Sequence, residues 1–444
     1  MGGCHEDGTS AVNELSYMML DATEELDFIR CLSVRYNKNT DRKFIKRALE
    51  VVGHLQKGVP FFFNDDVMIP ALKSVGIDEK DARNYTQLGC VETVIPGKSN
   101  PHAVTGEVNF LKALEYSLCN GGSLMYPEFF VGLETGNITA FDKLKEAVYL
   151  QIDNMLDICC KNIKLLTESR AKNDPKPYKS LLTEGCIENN LDFNNGGSVY
   201  DYYQIMFCGI PNLADSLVAL NKFVFTEKKY SLDEIIYQLK EDFPNENIRL
   251  QLLNKAPKFG NDIDEVDEIA CEITNVACDI LERMSKKYGL SFHAEPFTYW
   301  WMLNHGNESA ASPDGRHKGE PIAYSASPMQ GRDFSGFTAL LNSICKFPTT
   351  RTPGSTSAIV EVDPKLFTDE NIDNFVDIMF AAGKSGLSNL QFNVVDEHTL
   401  LEAQRYPDKY NNLAVRVSGF SQKFNQLNKG IQDHIIGRTK HKCM

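Results

Sequence analysis

The stretch Arg416-Val417-Ser418-Gly419-Phe420-Ser421-Gln422-Lys423-Phe424-Asn425-Gln426 decides how the rest of this 444-residue chain is read. A glycine sits between small polar residues, two aromatics follow it, and the apolar positions Leu427, Ile431 and Ile435 then recur at helical spacing. Read locally, Gly419 is a turn residue between a strand and a helix. Read chemically, it is a residue whose α-carbon can flatten. Without a β-carbon, an unpaired electron there can spread between the amide nitrogen and the carbonyl, and the unusual backbone geometry carries no steric cost.

A second segment, Leu88-Gly89-Cys90-Val91-Glu92, precedes the first by more than three hundred residues. Cys90 has no Lys, Arg or His within five residues in the chain. A nucleophilic cysteine needs a thiolate of lowered pKa. A cysteine that gives up a hydrogen atom works as the neutral thiol in a dry pocket. Glu92 stands two residues on. In an extended loop, alternate residues face the same side, so its carboxyl is expected beside the thiol, placed to move a proton.

These segments resemble the radical-bearing loop and the active-site cysteine loop of the glycyl radical enzymes. Further stretches resemble the same family: Asn13-Glu14-Leu15-Ser16-Tyr17, Gly209-Ile210-Pro211-Asn212-Leu213-Ala214-Asp215-Ser216-Leu217, Ala311-Ser312-Pro313-Asp314-Gly315-Arg316, and Gln391-Phe392-Asn393. The resemblance implies an α/β fold, the second half of a ten-stranded α/β barrel in which the Cys loop and Gly loop meet tip to tip. It divides the chain into the C-terminal part of a pyruvate formate-lyase-like domain (1–312) and a glycine radical domain (317–444).

By the same resemblance Cys90, Glu92 and Gly419 are the catalytic residues. Gly419 carries the radical, installed by a separate radical S-adenosylmethionine activase, and no cofactor or metal is bound. Glycine before Cys90, rather than a second cysteine, disfavours direct acyl transfer. Glu92 resembles the glutamate of the dehydratase, carbon–nitrogen lyase, carbon–sulfur lyase and arylacetate decarboxylase branches. Thr93 stands where many eliminating members have proline, and Val104 where diol dehydratases place an aspartate. The expected activity is elimination of water or amine from a small organic substrate. Arylacetate decarboxylation, a formate acetyltransferase-like reaction and a non-catalytic radical-domain partner are the alternatives. Family members are about twice as long, so the resemblance further implies a fragment (a truncated gene record, a split gene, or one of two complementing polypeptides with an N-terminal half as partner) rather than a smaller complete member, and a homodimer when complete.

Composition agrees with a folded protein: 42% hydrophobic and 24% charged residues. A net charge of −14 argues against nucleic acid and anionic membrane as partners. Twelve cysteines without C-x-x-C pairs or disulfide-scaffold density fit a reducing cytoplasm and not zinc or iron–sulfur ligation. The start, Met1-Gly2-Gly3-Cys4-His5-Glu6, mimics a lipidation signal but has Glu6 where Ser or Thr is needed.

Alternating helix and strand patterns favour α/β. Helices are expected over about 140–168 with Thr139 as N-cap, after the capping box Ser231-Leu232-Asp233-Glu234, and over about 263–287 up to Gly289. Strands are expected over 357–362 and 390–395. The Ser-, Asp-, Gly- and Pro-rich stretch 307–319 reads as a turn and soft boundary. His102 lies near the cysteine segment, where substrate contact is one reading, but a lone loop histidine more often is a solvated surface group.

Overall fold

The computed structural model describes residues 1–26 and 31–442. Its strands are β1 (Ser33–Tyr36), β2 (Phe61–Asn64), β3 (Thr86–Leu88), β4 (Glu92–Val94), β5 (Ser99–Asn100), β6 (Gly106–Asn109), β7 (Tyr200–Cys208), β8 (Ser291–Glu295), β9 (Ser357–Val362), β10 (Asn389–Val394), β11 (Ala414–Arg416), β12 (Ser421–Lys423) and β13 (Lys440–His441). Two sheets form the body. One runs β1-β2-β10-β9-β13, and in the other β7 pairs with β5, β6 and β8. The second sheet is parallel throughout. The first consists of parallel pairs joined where β2 meets β10 antiparallel. Gly354 N donates to Ala294 O and Ser357 N to Pro296 O, linking the exit of β8 to the entry of β9. The mixed α/β architecture agrees with the expectation, and the joined parallel units are consistent with part of a barrel.

Strand alternation splits the interior in two. Val34, Phe62, Tyr203, Ile205, Phe207, Phe292, Ala358, Val360, Leu390 and Phe392 pack under the helices. Phe61, Phe63, Tyr202, Met206, Cys208 and Ile359 face the other way, into a second core with Val91, Val415, Val417 and Phe424 from the two hairpins β3–β4 and β11–β12. Gln204, His293, Glu295, Glu361, Asn389, Gln391 and Asn393 alternate onto that inner side and are all buried. A layer so polar, yet enclosed, is the lining of a site rather than a packing face.

The helix ends mostly follow their local signals. Ser231 Oγ accepts from Glu234 N at 3.1 Å, and the helix Asp264–Tyr288 stops at Gly289, whose φ of +63° is left-handed. Thr139 is not a cap. The helix spans Phe141–Asn173 with Ala140 at its N-cap and no side-chain bond. Burial of Leu144 and the contact of Phe141 with Phe225 set its phase, one residue past the threonine.

The stretch 307–319 does form a turn, with Gly315 at φ +92°, but it is buried rather than soft. Asp314 and Arg316 are both 0% exposed. Asn212 Nδ2 donates to Asp314 Oδ2 at 2.7 Å, and Arg332 pairs with Asp314 at 2.7 Å and with Asp215 at 3.5 Å. The Asn212–Asp215 and Ala311–Arg316 motifs are thus two sides of one buried polar lock.

Candidate active site

The two hairpins meet at their tips. In β3–β4, Leu88 pairs with Glu92 and leaves Gly89-Cys90-Val91 as the turn. In β11–β12, Arg416 pairs with Ser421 and leaves Val417–Phe420 as the tip. Gly419 has φ +76°. A β-carbon built on it would lie 2.3 Å from Cys90 Cβ and 3.2 Å from Cys90 Sγ. Conformation and space both restrict this position to glycine.

Each tip is pinned. The buried Arg416 guanidinium donates to Gly419 O at 2.8 Å and to Gln391 Oε1 at 2.6 Å, and lies over the Phe61 ring at 4.2 Å. Arg438 donates to Val417 O at 2.7 Å and pairs with Glu361 at 2.9 Å. On the cysteine side, Tyr202 Oη donates to Thr93 O at 2.9 Å and Thr93 Oγ1 to Pro353 O at 2.7 Å. Gln87 donates to the carbonyl of Cys90 at 2.9 Å.

Glu92 reaches the thiol by a different route from the expected extended loop. Cys90 lies in a turn, and the Glu92 side chain folds back over it. Its Oε2 accepts from Cys90 N at 2.7 Å and Val91 N at 2.9 Å. Burial raises the Glu92 pKa, against those amide bonds. Burial, and then the Glu92 charge, pushes the Cys90 thiol well above its ordinary pKa, opposed by Arg416. The chain neighbourhood of Cys90 lacks cations, but the fold brings Arg416 to it, and the thiol remains neutral nonetheless. That is the state a hydrogen-atom donor requires.

Several residues at this site carry no local signal in the sequence. Tyr299 packs on Phe420 at 5.6 Å and Trp300 on Phe420 at 6.3 Å, closing one side of the glycine tip. Glu295 ends β8 on the inner face, raises the Cys90 pKa and has its own raised by Glu92. The inward alternation of Ser291-Phe292-His293-Ala294-Glu295 is the one feature that could have marked it.

His102 is not the solvated residue expected. Its side chain is 5% exposed, stacked on Tyr203 at 4.1 Å and 3.0 Å from Asp201. Tyr203 belongs to the core under the helices, so His102 lies away from the Cys90–Gly419 contact. Elsewhere, the ligating atoms of Glu107, Cys208 and His305 come within 4.8 Å of one another. His305 Nε2 is 3.2 Å from Glu107 Oε2. Burial opposes charge on His305, but the Cys208 sulfur and the Glu107 carboxylate outweigh it and raise its pKa to about 10. The imidazole is thereby favoured in its protonated form beside the Glu107 carboxylate.

Residues 1–301 match the family Pyruvate formate lyase-like, and residues 322–425 match the Glycine radical family. The chain belongs to the glycyl radical enzyme superfamily. It is 35% identical over 445 residues to trans-4-hydroxy-L-proline dehydratase of Clostridioides difficile, a match covering 99% of this chain and 56% of that protein. It is 30% identical to isethionate sulfite-lyase of Oleidesulfovibrio alaskensis, covering 100% of this chain and 54% of that one. Among solved structures, the glycerol-bound B12-independent glycerol dehydratase of Clostridium butyricum superposes with a TM-score of 0.94 at 34% identity, over 99% of this chain and 56% of that chain. The chain therefore spans about half the length of the relatives it matches, and its glycine radical segment indicates a protein-based glycyl radical. Among the described residues, no helix is long and apolar enough to cross a membrane.

Proposed function

We propose that this chain is the radical-bearing part of a glycyl radical lyase that eliminates a leaving group from a small organic substrate. The contact of the Gly419 α-carbon with Cys90 carries the reading. A radical stored at Gly419 takes the hydrogen atom of the Cys90 thiol. The thiyl takes a hydrogen atom from a substrate carbon, and the group on the neighbouring carbon departs. The product radical then recovers the hydrogen from Cys90. Glu92 accepts the proton that the substrate loses, close enough to the thiol to act on the same molecule.

The named relatives include dehydratases and a sulfite-lyase, which supports elimination of water or a similarly placed group. Gly89 stands before Cys90 in place of an adjacent second cysteine, which disfavours acyl transfer through a Cys-Cys pair. Retention of Cys90 and Glu92 beside Gly419 favours a catalytic chain over one that only lends a radical loop. The reading includes an activase using S-adenosylmethionine, a partner or longer form that supplies the remaining half, a homodimer when complete, a cytoplasmic location, and segments meeting between 312 and 317. The test is electron paramagnetic resonance after anaerobic activation: a doublet from one α-hydrogen is expected, and its absence from the activated assembly rejects the reading.

A further inference from the structure

Glu295 is a buried carboxyl that no group among the described residues hydrogen-bonds: it is 0% exposed, and neither of its carboxylate oxygens has such a partner. It is not a packing accident. Glu295 is in register with Met206 of β7, on the inner face shared with Gln204 and His293. Gly354 backs it so closely that a β-carbon there would lie 2.7 Å from Glu295 Cβ. The groups that act on it are Glu92 and Cys208, both acids; Arg416, the cation beside Cys90, is engaged by Gln391 and the Gly419 carbonyl.

Two carboxyls therefore face one reaction centre in unlike surroundings. Glu92 has two backbone amides on one oxygen, which favour its anion. Glu295 has none, lies near a like charge, and is wholly desolvated, so its stable form is the neutral acid. Such divergence within a carboxyl pair assigns base and acid.

Resting on the radical-lyase reading above, we infer that Glu295 is the general acid of this site, the partner of Glu92. The balance is complete with these groups. The Cys90 thiyl removes a hydrogen atom from the carbinol carbon, and Glu92 takes the proton of that carbon's hydroxyl. The C–O bond to the neighbouring hydroxyl then breaks, and Glu295 supplies the proton with which it leaves as water. The product radical recovers its hydrogen atom from Cys90. One proton has passed to Glu92 and one has left Glu295, so a single transfer from the first to the second, directly or through the released water, restores the site.

The first test needs no turnover. Infrared spectra of the unactivated full chain, grown with carboxyl-labelled glutamate, are expected to show a protonated-carboxyl band that shifts with the label. The band should be lost in Glu295→Gln and kept in Glu92→Gln. A spectrum without a label-sensitive band, or one whose band vanishes in Glu92→Gln instead, overturns the inference. Should Glu295→Gln fail to fold, Glu295→Asp replaces it: its protonated-carboxyl band should lose the shift with labelled glutamate that wild type and Glu92→Gln keep, and a label-sensitive band persisting in it overturns the inference. The second test uses activated protein with propane-1,2-diol and isethionate as probes. Glu295→Gln should keep the radical doublet and lose about 100-fold in kcat where hydroxide must leave. It should lose less than about tenfold where sulfite leaves as a stable anion. Equal losses on both probes, or a change confined to KM, overturn the acid assignment. If wild type turns over neither probe, the infrared result decides alone. Failure to form any radical counts against the lyase reading and leaves the infrared result standing.

Discussion

Gly419 touches Cys90 so closely that the missing β-carbon of the glycine is the space the cysteine occupies: an added carbon would lie 2.3 Å from Cys90 Cβ. The contact joins the tips of two hairpins, β3–β4 and β11–β12, that are far apart in the chain. Both hairpins are tied to the main sheets, β11–β12 through Arg416 to Gln391 and β3–β4 through Tyr202 to Thr93.

Gly419→Ala should abolish the radical doublet after anaerobic activation. It should also strain the loop, because a residue with a side chain at φ +76° costs on the order of 1–3 kcal/mol even without the clash. Resonance spectra and a denaturation midpoint measured on the same sample check both effects. A doublet surviving the substitution places the radical on another residue. After activation, brief exposure to air should cut wild-type chain beside Gly419 and release a short C-terminal peptide, visible by mass spectrometry, while the alanine variant stays whole.

Cys90→Ser separates storage of the radical from its use. The hydroxyl is close to the thiol in size but holds its hydrogen too firmly to pass it on. The doublet should persist and turnover should fall to background. Retained turnover would show that another group takes the hydrogen from substrate.

The meeting tips at Gly419 and Cys90 were legible in the sequence because their flanks are distinctive and the roles proposed for them each demand one residue type. The strands expected over 357–362 and 390–395 are present as Ser357–Val362 and, one residue earlier, Asn389–Val394. Glu295 was not legible: Ser291–Glu295 reads as an ordinary half-buried strand, and its meaning appears only when β8 is registered against β7 and Gly354 closes behind it. Long-range pairing of that kind leaves no local trace. The stretch 307–319 is buried rather than soft for a similar reason. Its turn residues form the turn they signal, but Asp314 also finds partners about a hundred residues upstream, at Asn212, and at Arg332.

Asp314→Asn tests that lock. The carboxylate accepts from Asn212, Ser312 and the Arg316 amide and pairs with Arg332. Neutralising it leaves Arg332 and Arg316 buried with less compensation, a change that costs about 3–5 kcal/mol where one partner of a buried pair is removed. Lys143→Ala is the control: its pair with Glu146 is exposed on both sides and should cost less than about 0.5 kcal/mol. Denaturant midpoints of the two variants should differ accordingly, and equal shifts would mean the buried network is not structural.

His305 gives the fold an alkaline limit. Its pKa of about 10 in the folded chain exceeds the ordinary imidazole value, about 6.5. The folded state thus holds a proton that the unfolded chain releases above about pH 6.5. The stability this confers is complete below that value and is lost as pH rises toward about 10. Urea midpoints of wild type should fall across that window, and His305→Gln should flatten the fall. An unchanged slope would assign the alkaline limb to other groups.

Arg416→Lys tests what holds the radical loop in place. The arginine fork reaches Gly419 O at 2.8 Å and Gln391 Oε1 at 2.6 Å at once, and also Ser421 Oγ at 3.3 Å. Lysine keeps the charge but brings one nitrogen, which cannot span the same acceptors in the same plane. Leaving the glycine carbonyl or the Gln391 oxygen unsatisfied in a buried site costs about 1–3 kcal/mol, and that cost falls on the loop because both acceptors frame it. Hydrogen exchange of residues 414–423 should therefore quicken in the variant while exchange in β7 and β9 stays at the wild-type rate. Equal protection in the two proteins would mean that the hairpin and Arg438 position Gly419 without this guanidinium.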